Sequence, residues 1–297
     1  MLSLPTVQEV SAEPECVFLR TDGLIRWFLI WSGKVVSMKI GFIGTGAITT
    51  AMVEGLCKTD HPPADIVVSP RNMKKAEKLA TRFANVRIAG NNQVVADECD
   101  CVVLAVIPQI AQSVLGELHF RRKQKIISVI AIKPISEIKS LADPATDIIR
   151  AIPLPTVARH MGPIAFFPYA SWADNLFRDI GDPIAVTDEN ELGIIAAVTA
   201  LIAPYYALME SVCRWGMAAG MDSKASGNYV GSMFQALSVM AREASADCFE
   251  NLSAESATPG GLNEQALKEI RKQEGFDAFT KALDVVLARL RGKSVGY

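Results

Sequence analysis

The chain has 297 residues, half of them hydrophobic, which is enough for two domains of ordinary size or one large one with a sizeable core. A net charge of −2 gives no electrostatic case for nucleic acid or a membrane surface as a partner. The six cysteines have neither disulfide nor zinc spacing and no paired histidines beside them, so no metal site is expected, and scattered reduced thiols suit a cytoplasmic protein.

Residues 1–37 do not share the pattern of the rest. Leu24 to Trp31 is apolar, too short to span a bilayer, and without a clear period. Glu9, Glu13 and Glu15 stand upstream of it where a signal peptide would carry basic residues. The stretch reads as an N-terminal extension of doubtful structure, or as the product of an upstream start codon, ahead of a fold that begins at Met38.

The first predicted strand, residues 39–43, runs straight into Gly44-Thr45-Gly46 and then into a helical pattern over 47–58. This is the first turn of a dinucleotide-binding βαβ unit. Gly44 permits the tight turn, and Gly46, lacking a side chain, lets a pyrophosphate approach the backbone. The free N–H groups at the start of the helix, around Ala47 and Ile48, point at that phosphate. Thr49 stands where the third glycine of the usual fingerprint would be.

Pro62-Pro63 ends the helical stretch. A second strand follows at 65–69, a helix at 73–83, a short strand at 86–89 and a short helix at 91–98. The apolar runs at 101–106, 126–130 and 148–152 are typical of strands buried on both faces. Shorter pieces at 164–167 and 184–186 extend the sheet. Such alternation predicts an α/β fold with an N-terminal Rossmann doubly wound parallel sheet over residues 38–187.

After Asp188 the β signal stops. Asp188 is a predicted N-cap, and helical spacing then runs through Leu192, Ile195, Val198 and Ile202 to Ala219, where Gly220 closes the helix. Asp222 caps the next helix, which carries Val230, Met233, Leu237 and Met240. Two more helical patterns occupy 263–273 and 276–291. Residues 188–297 therefore read as an all-α C-terminal domain. Its long first helix is apolar on more than one face, which predicts either a central position or a subunit contact, and favours a homodimer.

The second strand exits through Ser69-Pro70-Arg71-Asn72. In NAD-specific folds a carboxylate near this point binds the ribose 2′-OH and repels a 2′-phosphate. Here Ser69 and Asn72 offer neutral polar groups and Arg71 a cationic fork suited to phosphate, with Lys74 and Lys75 behind it. This favours NADP(H) over NAD(H). A solvated loop with incidental basic residues is the alternative.

The glycine turn, Ser69-Pro70-Arg71-Asn72 and the strand exit Leu104-Ala105-Val106-Ile107-Pro108-Gln109 together resemble the pyrroline-5-carboxylate reductase family. That family often has lysine at the position of Ile107. Ala257-Thr258-Pro259-Gly260-Gly261 is similar to its Thr/Ser-Ser-Pro-Gly-Gly motif, and Ala218-Ala219-Gly220-Met221-Asp222 to its Ala-Gly-Leu-Pro turn. The resemblance implies NADPH-dependent reduction of a small cyclic imine, as in proline biosynthesis, with Val106 and Pro108 at the cofactor. It also implies dimers or rings of dimers built through the helical domain. The departures concern the substrate loops. Ile152-Pro153-Leu154-Pro155-Thr156 replaces Met-Pro-Asn-Thr-Pro, and Leu262-Asn263 replaces the paired threonines that lie in the family's substrate site.

Hydride attack on a protonated imine asks little of the protein beyond holding the substrate and excluding water. None of His61, His119 and His160 stands at a catalytic spacing. Gly260 and Gly261 precede a helix, so the N–H groups of Gly261, Leu262 and Asn263 are candidates to bind a substrate carboxylate, a ligand-free turn being the alternative. Glu264 either caps backbone donors there or, facing a pocket, would repel a carboxylate and favour an amine-bearing substrate. Tyr206 is a candidate hydrogen-bond donor or an interface aromatic, and Asn263 a candidate orienting group. A keto- or hydroxy-acid oxidoreductase on the same scaffold, with an oxo acid as substrate, and a non-catalytic nucleotide-binding regulator remain as alternatives.

Overall fold

The computed structural model describes residues 15–21, 24–31, 34–35, 38–244 and 249–292. The chain divides into two compact units, Met1–Thr187 and Asp188–Tyr297.

Part of the N-terminal stretch forms a three-stranded antiparallel sheet, β1 (Glu15–Thr21), β2 (Leu24–Trp31) and β3 (Lys34–Val35). β1 and β2 pair from Glu15 opposite Ile30 to Thr21 opposite Leu24. Part of the stretch read as an N-terminal extension of doubtful structure thus pairs as strands. Residues 1–14 lie outside the described residues.

The main sheet contains β4 (Ile40–Ile43), β5 (Ile66–Val68), β6 (Val86–Ile88), β7 (Cys101–Leu104), β8 (Lys125–Ser128), β9 (Asp147–Pro153), β10 (Pro163–Phe167) and β11 (Asp182–Ala185). Their order is β11-β10-β9-β8-β7-β4-β5-β6. The six strands from β6 to β9 are parallel. β10 runs antiparallel to β9, and β11 parallel to β10, so the sheet is mixed at that edge. The cause is connection length. A parallel crossover takes about a dozen residues or more, usually with a helix. Residues 154–162 hold only a 3-10 turn, Pro155–Arg159.

Helices cover both faces of this sheet. α1 (Ala47–Leu56), α2 (Met73–Arg82) and α6 (Ser171–Arg178) enclose one core around Phe42, Met52, Phe166 and Phe177, all fully buried. α3 (Asn92–Glu98), α4 (Pro108–Leu115) and α5 (Ile135–Leu141) enclose the other around Ile43, Leu104, Leu115 and Ile126. Neighbouring strand residues therefore serve opposite layers, Phe42 one and Ile43 the other, which is why these strands read as unbroken apolar runs.

The second unit is helical, with α7 (Glu189–Thr199), α8 (Ile202–Ala218), α9 (Ser223–Glu243), α10 (Phe249–Ser256), α11 (Leu262–Lys272) and α12 (Gly275–Leu290). Asp188 caps α7 by accepting from the N–H groups of Asn190 and Glu191, and Asp222 caps α9 through Lys224 and Ala225. Gly220, at φ +103°, ends α8 with Met221 N–H bonded to Gly216 O and Gly220 N–H to Met217 O. This is the double-bonded left-handed stop that glycine favours. The single helix expected over 188–219 is two helices with a joint at Ala200–Leu201. Pro204 explains the joint: it has no N–H to offer Ala200 and its ring would crowd that carbonyl.

Much of this unit's apolar surface is open. Trp215 is 72% exposed, Tyr229 64% and Tyr206 61%. An 18-residue window within Glu189–Ala218, the run that α7 and α8 share, has a mean hydropathy of 1.9, which is apolar enough by composition alone to cross a membrane.

Candidate functional site

β4 lies between β5 and β7, so the chain leaves β4 at the point where the strand order reverses. Open α/β sheets bind ligands outside the carboxyl ends of their strands at such a point. The Gly44-Thr45-Gly46 turn stands there.

Three interactions fix the turn. Gly44 has φ +102°, and a Cβ on it would lie 2.4 Å from the carbonyl oxygen of Ala105. Its N–H donates to the Ser69 hydroxyl at 2.8 Å, and the Thr45 hydroxyl donates to the Ser69 carbonyl at 2.7 Å. The Thr49 hydroxyl, fully buried, donates back to the Gly44 carbonyl. The residue standing in for the third glycine therefore clamps the turn from inside the first helical turn. Thr45 and Thr49 were not among the expected site residues, and two threonines flanking a glycine turn are the signal that could have found them.

Gly46 differs from Gly44. Its φ of −93° suits any residue, and an added Cβ would meet nothing within 4 Å. Packing within the unit does not require glycine here, whereas close approach of a ligand does. Gly46 is also the N-cap of α1, with no side-chain cap and no acidic residue in the first turn. Helix geometry leaves the N–H groups of Gly46, Ala47, Ile48 and Thr49 without intrahelical partners. An uncapped helix start with open space over it fits an anionic group such as the diphosphate of a dinucleotide.

The exit of β5 sorts the remaining cofactor candidates. Ser69 is fully buried with its hydroxyl committed to Gly44, so it shapes the turn and does not face solvent. The Asn72 side chain accepts from Lys75 N–H and caps α2. Arg71 is exposed, as are Lys74 and Lys75. The expected trio thus becomes one outward cation on two structural supports. Beside it a groove of about 280 Å³ runs between α1 and α2, from Ala47 and Thr50 to Lys75 and Lys78.

The exit of β7 abuts the same turn. Ala105 N–H donates to Ile43 O at 2.8 Å. Val106 is buried, Ile107 is 60% exposed as the N-cap of α4, and Pro108 is the first residue of that helix. Gly44, Gly46, Ala47, Ile48, Ser69, Val106 and Pro108 are therefore brought to one end of the sheet, with Arg71 and Asn72 at the exit of its neighbouring strand.

In the second unit Gly261 is the N-cap of α11, and Leu262, 84% exposed, opens it. Glu264 accepts from Gly260 N–H at 2.9 Å and pairs with Lys268 at 2.8 Å. Lys268 first, then the Gly260 N–H, holds its carboxyl below the usual carboxylate range. The carboxylate is thus a cap, as one of the two sequence readings has it. Asn263 donates through Nδ2 to the Ser256 carbonyl at 3.0 Å, which ties the end of α10 to the start of α11. Tyr206 lies on α8 and packs edge-on against Tyr205, ring centroids 5.5 Å apart. Among the described residues no hydrogen bond joins it to Asn263 or Glu264.

Relatives complete the picture. A family model described as NADP oxidoreductase coenzyme F420-dependent matches residues 39–132, and one described as pyrroline-5-carboxylate reductase dimerisation matches residues 189–292. Pyrroline-5-carboxylate reductase 1 of Bacillus spizizenii is 25% identical over 257 residues, covering 82% of this chain and 86% of its own. The pyrroline-5-carboxylate reductase of Pseudomonas aeruginosa is 24% identical over 253 residues, covering 82% and 92%. The fold matches that of a 1-pyrroline-5-carboxylate reductase from Streptococcus pyogenes with a TM-score of 0.75 at 21% identity, over 86% of this chain and 98% of that one. A Plasmodium falciparum pyrroline carboxylate reductase with NADP bound matches equally, TM-score 0.75 at 19% identity, over 86% and 97%. With a glycine turn at the strand-order switch of the first unit and a match to the reductases' dimerisation region over the second, the chain resembles pyrroline-5-carboxylate reductases over most of its length.

Proposed function

We propose that this protein is an NADPH-dependent reductase of a small cyclic imine. The observation that carries the reading is the open, uncapped start of α1 above Gly46, held in place by Gly44, Ser69 and Thr49. A reduced nicotinamide carrier bound there supplies the hydride that converts a protonated C=N bond to an amine. The N–H groups from Gly46 to Thr49 hold the diphosphate, and Arg71 pairs with the 2′-phosphate and sets the preference for NADPH over NADH. Iminium and hydride together make the amine, so the protein need supply no acid beyond the proton already on nitrogen.

The helical unit serves dimerisation. The match of residues 189–292 to the family's dimerisation region and the exposed Trp215, Tyr229 and Tyr206 support this. A second subunit is the partner that accounts for the apolar run Glu189–Ala218. The test is NADPH oxidation across a panel of cyclic imines and oxo acids, with NADH in parallel, followed by complementation of a proline auxotroph. Turnover of imines with NADPH preferred is expected. Absence of calorimetric binding of either reduced or oxidised carrier would overturn the reading.

A further inference from the structure

Helix α1 is fastened at both ends. Its start is held where Thr49 bonds back to Gly44, itself bonded to Ser69. Its last turn, about 15 Å away, is held by the segment that leaves β9. Gly55 is buried there, and a Cβ on it would lie 2.4 Å from the Val157 carbonyl oxygen. Lys58 Nζ donates to the Ala158 carbonyl at 3.0 Å. His160 Nε2 lies 2.9 Å from the Gly55 carbonyl oxygen, which can only accept, so Nε2 is the donor. His160 itself has φ 55° and ψ 41°, a left-handed backbone that glycine adopts without steric cost. It is exposed, so burial of the ring does not explain why histidine stands there. What its side chain adds over glycine is the bond to Gly55. Strained residues persist where their surroundings over-determine them, and they gather at functional sites.

The segment held in this way starts at the ligand edge of the sheet. β4, β7, β8 and β9 are parallel neighbours, so β9 ends at the same carboxyl edge as β4. At about 4.8 Å per strand its exit stands about 14 Å from the glycine turn. With the 2′-phosphate at Arg71, beyond β5, the nicotinamide half extends the other way, over β7, β8 and β9. We propose that His160 is a positioning residue for the reduction. Its bond to Gly55 ties the exit of β9, Leu154 to Thr156, to the helix that carries the cofactor, and so sets the substrate's distance from the hydride. The proposal rests on the imine-reductase reading and adds to it a residue that touches neither substrate nor cofactor.

The test compares wild type with His160→Gly and His160→Gln. Glycine relieves the left-handed backbone while losing the hydrogen bond, so Tm should stay within about 3 °C of wild type. NADPH affinity by calorimetry should stay within about twofold, because the start of α1 is held separately at Gly44. The kcat/KM for the imine turned over fastest should nonetheless fall about 10-fold, a small part of what misplacement by 1 Å can cost. Proline binding to the NADP+ complex, which needs no turnover, should weaken about 10-fold as well. His160→Gln, whose amide restores a donor, should recover both to within about threefold of wild type. Imine kcat/KM and proline affinity within twofold of wild type in His160→Gly would overturn the positioning role. So would a loss of NADPH affinity equal to the loss in kcat/KM, since α1 itself would then have moved. Should wild type bind NADPH and reduce no imine, the reductase reading fails. The proline affinities then decide the positioning role alone, a 10-fold loss in His160→Gly supporting it and equal affinity ending it.

Discussion

The two glycines of the turn make opposite demands, and substituting each in turn separates folding from binding. At Gly44 an alanine takes a left-handed backbone, costing about 1–2 kcal/mol. Its Cβ also lies 2.4 Å from the Ala105 carbonyl oxygen, so the exit of β7 must shift. Such overpacking adds about 1–3 kcal/mol. At about 2–4 °C per kcal/mol for a unit of this size, Tm falls by roughly 10 °C. At Gly46 an alanine meets nothing within 4 Å and takes an ordinary φ of −93°. The helix loses only the small N-cap advantage of glycine, about 0.5 kcal/mol. The new methyl does, however, occupy the space over the α1 N–H groups. Losing charge-assisted contacts to a diphosphate there costs about 2–4 kcal/mol, or about 30- to 1,000-fold in NADPH affinity. Thermal unfolding and calorimetric titration with NADPH read the two effects on the same samples. Gly46→Ala protein that binds NADPH within threefold of wild type would refute the assignment of the cradle.

Ser69→Ala leaves the buried Gly44 N–H without its partner, and urea unfolding should show a loss of about 1–3 kcal/mol. Arg71→Ala should weaken NADPH binding by about 10- to 100-fold and NADH binding by less than twofold, measured by fluorescence titration at fixed ionic strength. Burial pushes the Cys57 thiol from 9.0 to about 11, so its thiolate fraction at pH 8 is about 100-fold below that of an ordinary thiol. Iodoacetamide should label it correspondingly slowly, with a rate still climbing above pH 10. The Glu264 carboxyl is held low in the folded chain, so its contribution is present above the ordinary carboxylate range and is lost as pH falls through the lowered value. The stability advantage of wild type over Glu264→Gln should accordingly be seen near neutral pH and fade in acid, by thermal unfolding across a pH series.

The sequence speaks most clearly where one signal settles each question. Strands buried on both faces must be apolar throughout, and Cys101–Leu104 and Lys125–Ser128 lie where such runs occur. Asp188, Gly220 and Asp222 mark helix ends because only certain residues can cap or close them. Where a contact depends on chain segments far apart in sequence, the signal fades. Nothing local says that Ser69 turns inward to Gly44, since that follows from β5 lying beside β4. Helix α4, which opens on a proline, and α10 are each eight residues long, shorter than a reliable pattern needs. The positive φ of Ile132 runs against every residue preference, so no reading of the sequence would place it. It is a local rule broken at the edge of the site, where strain is expected to concentrate.

Helices α1 and α11 both have a glycine as N-cap, and what stands at each start decides what each can bind. α1 opens at Gly46 with no side-chain cap and no carboxylate in its first turn, so its dipole is unanswered from within. α11 opens at Gly261 with Glu264 returning to the Gly260 N–H and Lys268 returning to Glu264, so its charge is already balanced. An external anion at α11 must compete with a tethered one at high effective concentration, whereas at α1 it competes only with water. A glycine pair before a helix is therefore ambiguous in sequence until the third residue of that helix is read. Thr49 at that position turns its hydroxyl inward to the Gly44 carbonyl and leaves the end of α1 open. Glu264, at the same position of α11, fills it.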